Sequence, residues 1–139
     1  RMGTDWVDRY LDAWNSHDGS QVAAFMADDV TYDDLAGGAS YQGRDAVRAY
    51  VDQTHDFSTD YRFATVSAQA EGRRYAIEWE MFGTNTGPSG GFPATGNPYR
   101  FHGASIGELD DDGRITLNRD YWNLAAYLVQ VGLLQLPPA

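Results

Sequence analysis

The alternation of polar and apolar residues changes rhythm along this chain. In "TDWVDRYLDAWNSHDG", Trp6, Val7, Tyr10, Leu11 and Trp14 recur at helical spacing, which places them on one face of an amphipathic helix. Thr4 or Asp5 is positioned to cap that helix, and Asp18-Gly19 to end it. A short second helix is predicted with Ser20 as its N-cap and Val22, Phe25 and Met26 on one side. "DVTYDDLA" alternates with period two and predicts a strand. A third helix is predicted from about Arg44 to Thr54, burying Val47, Tyr50 and Val51.

After that helix the period becomes two. "YRFATVSAQA", "RRYAIEWEMFG", "YRFHGASIGEL" and "RITLNRDYW" predict four successive strands, separated by Glu71-Gly72, a long Gly/Pro-rich loop and Asp112-Gly113. Leu124 to Leu136 is apolar enough to predict a buried helix, stopped by Pro137-Pro138. Helices set ahead of hairpin-joined strands imply an α+β fold, a curved antiparallel sheet wrapped around the N-terminal helices, with residues 1–139 as a single domain. Such a cone holds a cavity between sheet and helices, a normal place for a ligand.

Composition narrows the function. With 42% hydrophobic and 14% aromatic residues in 139, the chain can bury a real core. A net charge of −10 argues against nucleic-acid partners and anionic membranes. The absence of cysteine excludes disulfides, thiol catalysis and Cys-based zinc sites, and the absence of lysine excludes Schiff-base chemistry on a lysine. The three histidines show no metal-ligand spacing and the carboxylates are scattered, so no metal site is expected. No signal-peptide pattern or membrane-length apolar run is seen, and the expected compartment is the cytoplasm.

Tyr32 and Asp34 are two apart on one predicted strand and share a face. A carboxylate beside a phenol in an apolar cavity can serve as a general acid or base. The alternative is a solvated strand end, which is preferred for neighbouring Asp33; for Asp34 both readings stand. Glu78 and Glu80 alternate with Tyr75, Ile77, Trp79 and Met81. That pattern favours apolar side in and glutamates in water, against a carboxylate pair in the cavity. His102 shares a face with Ala104 and Ile106 and is either a structural residue or an acid/base. Asp120 and Trp122 share a face with Thr116 and Asn118, opposite Arg119 and Tyr121. "GTNTGPSGGFPATGNPYR" lacks the Gly-Lys-Ser/Thr ending of a phosphate loop and is long enough to act as a lid.

Several stretches together, "YLDAWNSHDGSQVAAFMADDVTYDDLAGG", "YQGRDAVRAYV", the two Thr-Gly turns of the long loop, and "DGRITLNRDYWNLAAYLVQVGLL", resemble the SnoaL-like polyketide cyclases and ester cyclases of the nuclear transport factor 2 superfamily. The resemblance implies cofactor-free acid–base catalysis and a fold of α+β cones. The family's catalytic Asp, seven residues before the terminal Gln, falls on Asn123, counted from Gln130, and an amide cannot shuttle a proton at neutral pH. The family's histidine falls nearer Ser105 than His102. "RDYWN" also resembles the last strand of limonene-epoxide-hydrolase-like proteins. That likeness implies a catalytic Asp120 and a water-holding Tyr32-Asp33-Asp34. It sets an Arg-x-Asp pair on Glu78-Trp79-Glu80, which lacks the arginine.

The expectation is a cofactor-independent cyclase or isomerase acting on a hydrophobic, polyketide-like small molecule. Asp34 and Asp120 would move protons, with Tyr32, His102 and Asn123 orienting oxygens. Trp14, Trp79, Phe82, Glu80 and Trp122 would contact the substrate. An epoxide-opening enzyme and a non-catalytic binding domain are the alternatives. The resemblance also implies a homodimer through the outer sheet face.

Overall fold

A computed structural model describes residues 3–88 and 90–139. The elements run α1 (Val7–Asn15), α2 (Gly19–Ala23), β1 (Met26–Asp34), β2 (Ala39–Gln42), α3 (Arg44–Phe57), β3 (Arg62–Glu71), β4 (Arg74–Thr84), β5 (Pro98–Leu109), β6 (Ile115–Trp122) and α4 (Leu124–Gln130). The strands form one curved, unclosed sheet in the order β2-β1-β6-β5-β4-β3. From β6 to β3 every pairing is antiparallel, as the sequence predicts, but β1 joins β6 in parallel. Register shifts in β3–β4, β5–β6 and β1–β6 add local bends and twist to the sheet.

Helix α1 buries Val7, Tyr10, Leu11, Ala13 and Trp14 along one stripe. Its N-cap is Trp6, with no side-chain cap, rather than Thr4 or Asp5; the Thr4 carbonyl instead accepts from Val7 N at 3.1 Å. Helix α2 is capped by Asp18, whose carboxylate takes the Ser20 amide at 2.9 Å, so Ser20 sits inside the first turn. The C-terminal helix is shorter and more exposed than its apolar sequence suggests, with Tyr127 as its buried residue. No helix among the described residues is long and apolar enough to cross a membrane.

The concave sheet face and the helices share an aromatic core. Tyr75, Ile77, Trp79 and Met81 of β4 point inward; Ala76, Glu78, Glu80 and Phe82 lie on the other face. That outer face also exposes Val66, Ile106 and Tyr121. Two glycines of β5 let the large side chains of β4 lie across the sheet. A Cβ at Gly103 would fall 2.2 Å from Trp79 Cη2, and one at Gly107 would fall 2.3 Å from the Tyr75 hydroxyl. Trp79 can therefore reach Ser105 and Tyr75 can reach Asn118, at 2.9 and 2.7 Å. Replacing Gly103 by Val should displace the indole and cost about 1–3 kcal/mol by overpacking. Urea denaturation with Trp fluorescence measures this; an unchanged midpoint would show that the indole does not need that gap.

Candidate active site

Strand pairing decides which side chains meet. In the parallel β1–β6 ladder Tyr32 lies opposite Asn118 and Asp34 opposite Asp120. On the far side of β6, Ser105 lies opposite Asp120. Tyr32, Asp34, Ser105, Asp120 and Trp122 consequently line one cavity of about 480 Å³ on the concave side. Trp14, Tyr50, Trp79, Phe101 and Tyr127 form much of its aromatic wall.

Asp120 is buried and held by three donors. Ser105 Oγ and Asn118 Nδ2 donate to its Oδ1 at 2.6 and 2.8 Å, and the Tyr32 hydroxyl donates to its Oδ2. These donors are themselves held: Trp79 Nε1 donates to Ser105 Oγ, and the Tyr75 hydroxyl donates to Asn118 Oδ1. A carboxylate offers about four acceptor positions, so one on Oδ2 is left for a ligand. Burial pushes the Asp120 carboxyl up to about 6; the three hydrogen bonds pull against it, and the neighbouring Asp34 charge adds to the rise.

Asp34 is anchored differently. Trp122 Nε1 and Gly37 N donate to Oδ1 at 2.8 and 3.1 Å, while Oδ2 receives the Tyr50 hydroxyl at 3.4 Å. Burial and then the Asp charges raise the Tyr32 and Tyr50 hydroxyls well above the ordinary phenol value. Both tyrosines thus keep their protons and act as donors, leaving the Asp120 carboxyl as the group that titrates near neutrality. Among the described residues no cluster of three or more His, Asp or Glu could hold a metal ion.

The SnoaL-like domain profile matches residues 7–118. The chain belongs to the SnoaL-like family. A candidate polyketide cyclase from Xanthomonas campestris pv. campestris is 31% identical, with 92% of this chain and 95% of that one covered and a TM-score of 0.77. A hypothetical protein from Catenulispora acidiphila with a ketosteroid isomerase-like fold, solved with trimethylamine, superposes at a TM-score of 0.84, 23% identity and 98% and 100% coverage. An epoxide hydrolase of the limonene-epoxide-hydrolase-like type from M. tuberculosis reaches 0.69, 21% identity, and 90% and 85% coverage. No curated protein matches this chain by sequence.

Within this SnoaL-like fold the predicted site residues divide. Asp34, Asp120, Tyr32, Trp14, Trp79 and Trp122 line the cavity. His102 does not: it pairs with Glu80 across the β4–β5 ladder on the outer face, its Nε2 lying 3.2 Å from Glu80 Oε2. Glu80 also receives Arg100, and Arg100 stacks over Phe82 at 4.4 Å, so these residues form a solvent-side cluster rather than a substrate wall. The Glu78 and Glu80 pair implied by the hydrolase likeness therefore lies outside the cavity. Asn123 is exposed and caps α4 by accepting from Ala126 N at 2.9 Å, which takes it out of the substrate-contacting set. Sequence reasoning missed Tyr50 and Tyr75 as site residues, and met Ser105 only as the position nearest the family's histidine. Ser105 could have been found from its even spacing with Phe101 and Gly103 once the β4 face was assigned.

The Asp120 shift has a stability consequence with a definite sign. Its folded value lies above the unfolded one, so the folded state holds the extra proton between about pH 4 and 6. Its contribution to stability is therefore present at pH 4 and lost as pH rises through 6. Asp120→Asn removes this dependence. Relative to wild type, the variant should gain about 2 kcal/mol between pH 4 and pH 7. Denaturant unfolding of both proteins at the two pH values measures this, and a constant difference would contradict the assignment.

Proposed function

We propose that this SnoaL-like protein is a cofactor-independent enzyme that cyclises or isomerises a hydrophobic, oxygenated, polyketide-like molecule by acid–base catalysis. The observation that carries this reading is the pair of carboxyls, Asp34 and Asp120, set side by side in an aromatic cavity. The likeness to the Xanthomonas candidate polyketide cyclase supports it.

In this reading Asp120 is the base. Its remaining acceptor position on Oδ2 takes a proton from carbon beside a carbonyl, and a pKa of about 6 matches that task near neutral pH. Asp120 hands that proton on to the second position of the substrate, by way of the neighbouring Asp34 carboxylate, as the ring closes or the double bond moves, so both carboxyls end the cycle as they began it. Tyr32, Ser105 and Asn118 fix the Asp120 carboxyl, and Trp122 and Gly37 fix that of Asp34. The aromatic wall holds the flexible chain folded; prepaid orientation of this kind can remove roughly 7–11 kcal/mol of barrier in favourable cases. Epoxide opening by the arginine-assisted arrangement is less well supported, because among the described residues no arginine lines the cavity.

Hydrogen–deuterium exchange and ring closure of a hydrophobic β-keto ester in D2O, followed by NMR, test the proposal. The wild type should accelerate both. Asp34→Asn and Asp120→Asn should each bind the ester yet lower the rate by about 10²-fold or more. If both amides keep full activity, the cavity works by shape alone and the acid–base assignment is wrong.

A further inference from the structure

The cavity has an electrostatic imbalance that the proton-transfer reading does not use. Asp34 and Asp120 are 7% and 8% exposed. Among the described residues the ion pairs engage Asp28, Asp33, Asp45, Glu80, Asp111 and Asp112, and neither Asp34 nor Asp120 takes part in one. No arginine or histidine is among the described residues that line the cavity, and the chain has no lysine. Their partners are neutral donors only: hydroxyls, an amide side chain, an indole and a backbone N–H. Buried carboxylates are ordinarily matched by a cation or a metal. Here the register of β1 against β6 brings two together, and none of the described residues lining the cavity provides a counter-charge.

The surrounding side chains fit the missing partner. Two aromatic side chains, Tyr50 and Trp122, hydrogen-bond to Asp34. Tyr41 stacks on Tyr50 with ring centres 4.3 Å apart, Tyr32 lies 5.6 Å from Tyr50, and Phe101 stacks on Trp122 at 5.1 Å. All of them line the cavity. Aromatic side chains grouped about a carboxylate, with no basic residue, form a setting suited to an alkylated ammonium group, which gains from ring faces and from the negative charge while needing few hydrogen bonds. An anionic ligand would meet two like charges and no cation.

We infer that the ligand of this cavity carries a positive charge, as a hydrophobic ammonium group seated between Asp34 and Asp120 and the aromatic wall. This rests on the reading of the cavity as the substrate site and adds the substrate's chemical class: a hydrophobic, oxygenated body bearing a basic or alkylated nitrogen. The ammonium supplies the counter-charge that the fold omits.

A pair of probes of equal shape separates charge from fit. 4-Hydroxy-N,N,N-trimethylanilinium and 4-tert-butylphenol differ in the central atom and its charge. Isothermal calorimetry on the wild-type protein should show the cation binding about tenfold tighter or better. In Asp34→Asn that preference should fall to within about twofold, while 4-tert-butylphenol binds as before; Asp34→Glu should restore part of it. If the two probes bind equally, or the neutral one binds tighter, the cationic ligand is overturned while the cavity stands as a ligand site. If neither binds, both the cavity reading and this inference fail. A cation preference that survives unchanged in both Asp34→Asn and Asp120→Asn overturns the proposed seat. The comparison on the wild type needs no variant, so a misfolded mutant does not remove the test.

Discussion

Everything at the centre of this protein depends on one strand pairing, the parallel contact of β1 with β6 that sets Asp34 directly beside Asp120. Two carboxyls side by side in an apolar cavity repel one another and lose water, and both effects favour the protonated form. The fold meets that cost with neutral donors rather than cations. Ser105, Asn118 and Tyr32 hold Asp120, and Trp122, Gly37 and Tyr50 hold Asp34. A second tier fixes the first, with Trp79 and Tyr75 reaching over Gly103 and Gly107 to grip Ser105 and Asn118. The small residues of β5 and the large ones of β4 thus form one device whose outcome is the exact placement of a carboxyl.

That placement assigns distinct roles to chemically similar groups. Burial and neighbouring charge drive the cavity phenols toward higher pKa, so they donate hydrogen bonds without giving up protons. The same burial lifts Asp120 only to about 6, which leaves it able to exchange a proton near neutrality. The family shares its fold with enzymes of different chemistries, so the reaction must be argued from these groups and not from the fold. The position from which the family resemblance draws an Asp holds Asn123 here, which caps a helix, and Asp120 lies three residues earlier on the cavity face.

Much of this was legible in the residues. Helical spacing found α1 and α3, and period-two runs found β1 and β3 to β6. The pairs Tyr32/Asp34 and Asp120/Trp122 could be placed on common faces. Alternation, however, assigns residues to a face without saying which face is inward. For β4 the run of Tyr75, Ile77, Trp79 and Met81 settles that question, and the expectation that Glu80 and Phe82 contact substrate ran against it. For β5 the sign depends on register: His102 lies opposite Glu80 and so shares its outer face. Strand β2 is short and follows a four-residue turn, too little pattern to stand out. The parallel closure of β1 on β6 joins residues 88 apart, as the Tyr32–Asp120 bond shows, and no local signal encodes it. Asn123 reads as a continuation of β6 because the strand ends only one residue earlier.

Asp34 and Asp120 face one another in the cavity, and Asp120 holds its proton to unusually high pH. Carbon-detected NMR titration of the aspartate side-chain carboxyls tests this most directly. Asp120 should titrate near 6 in the wild-type protein and at a lower value in Asp34→Asn, where the neighbouring charge is gone. An Asp120 carboxyl that titrates at the ordinary value of about 3.9, unmoved by that substitution, would contradict the account.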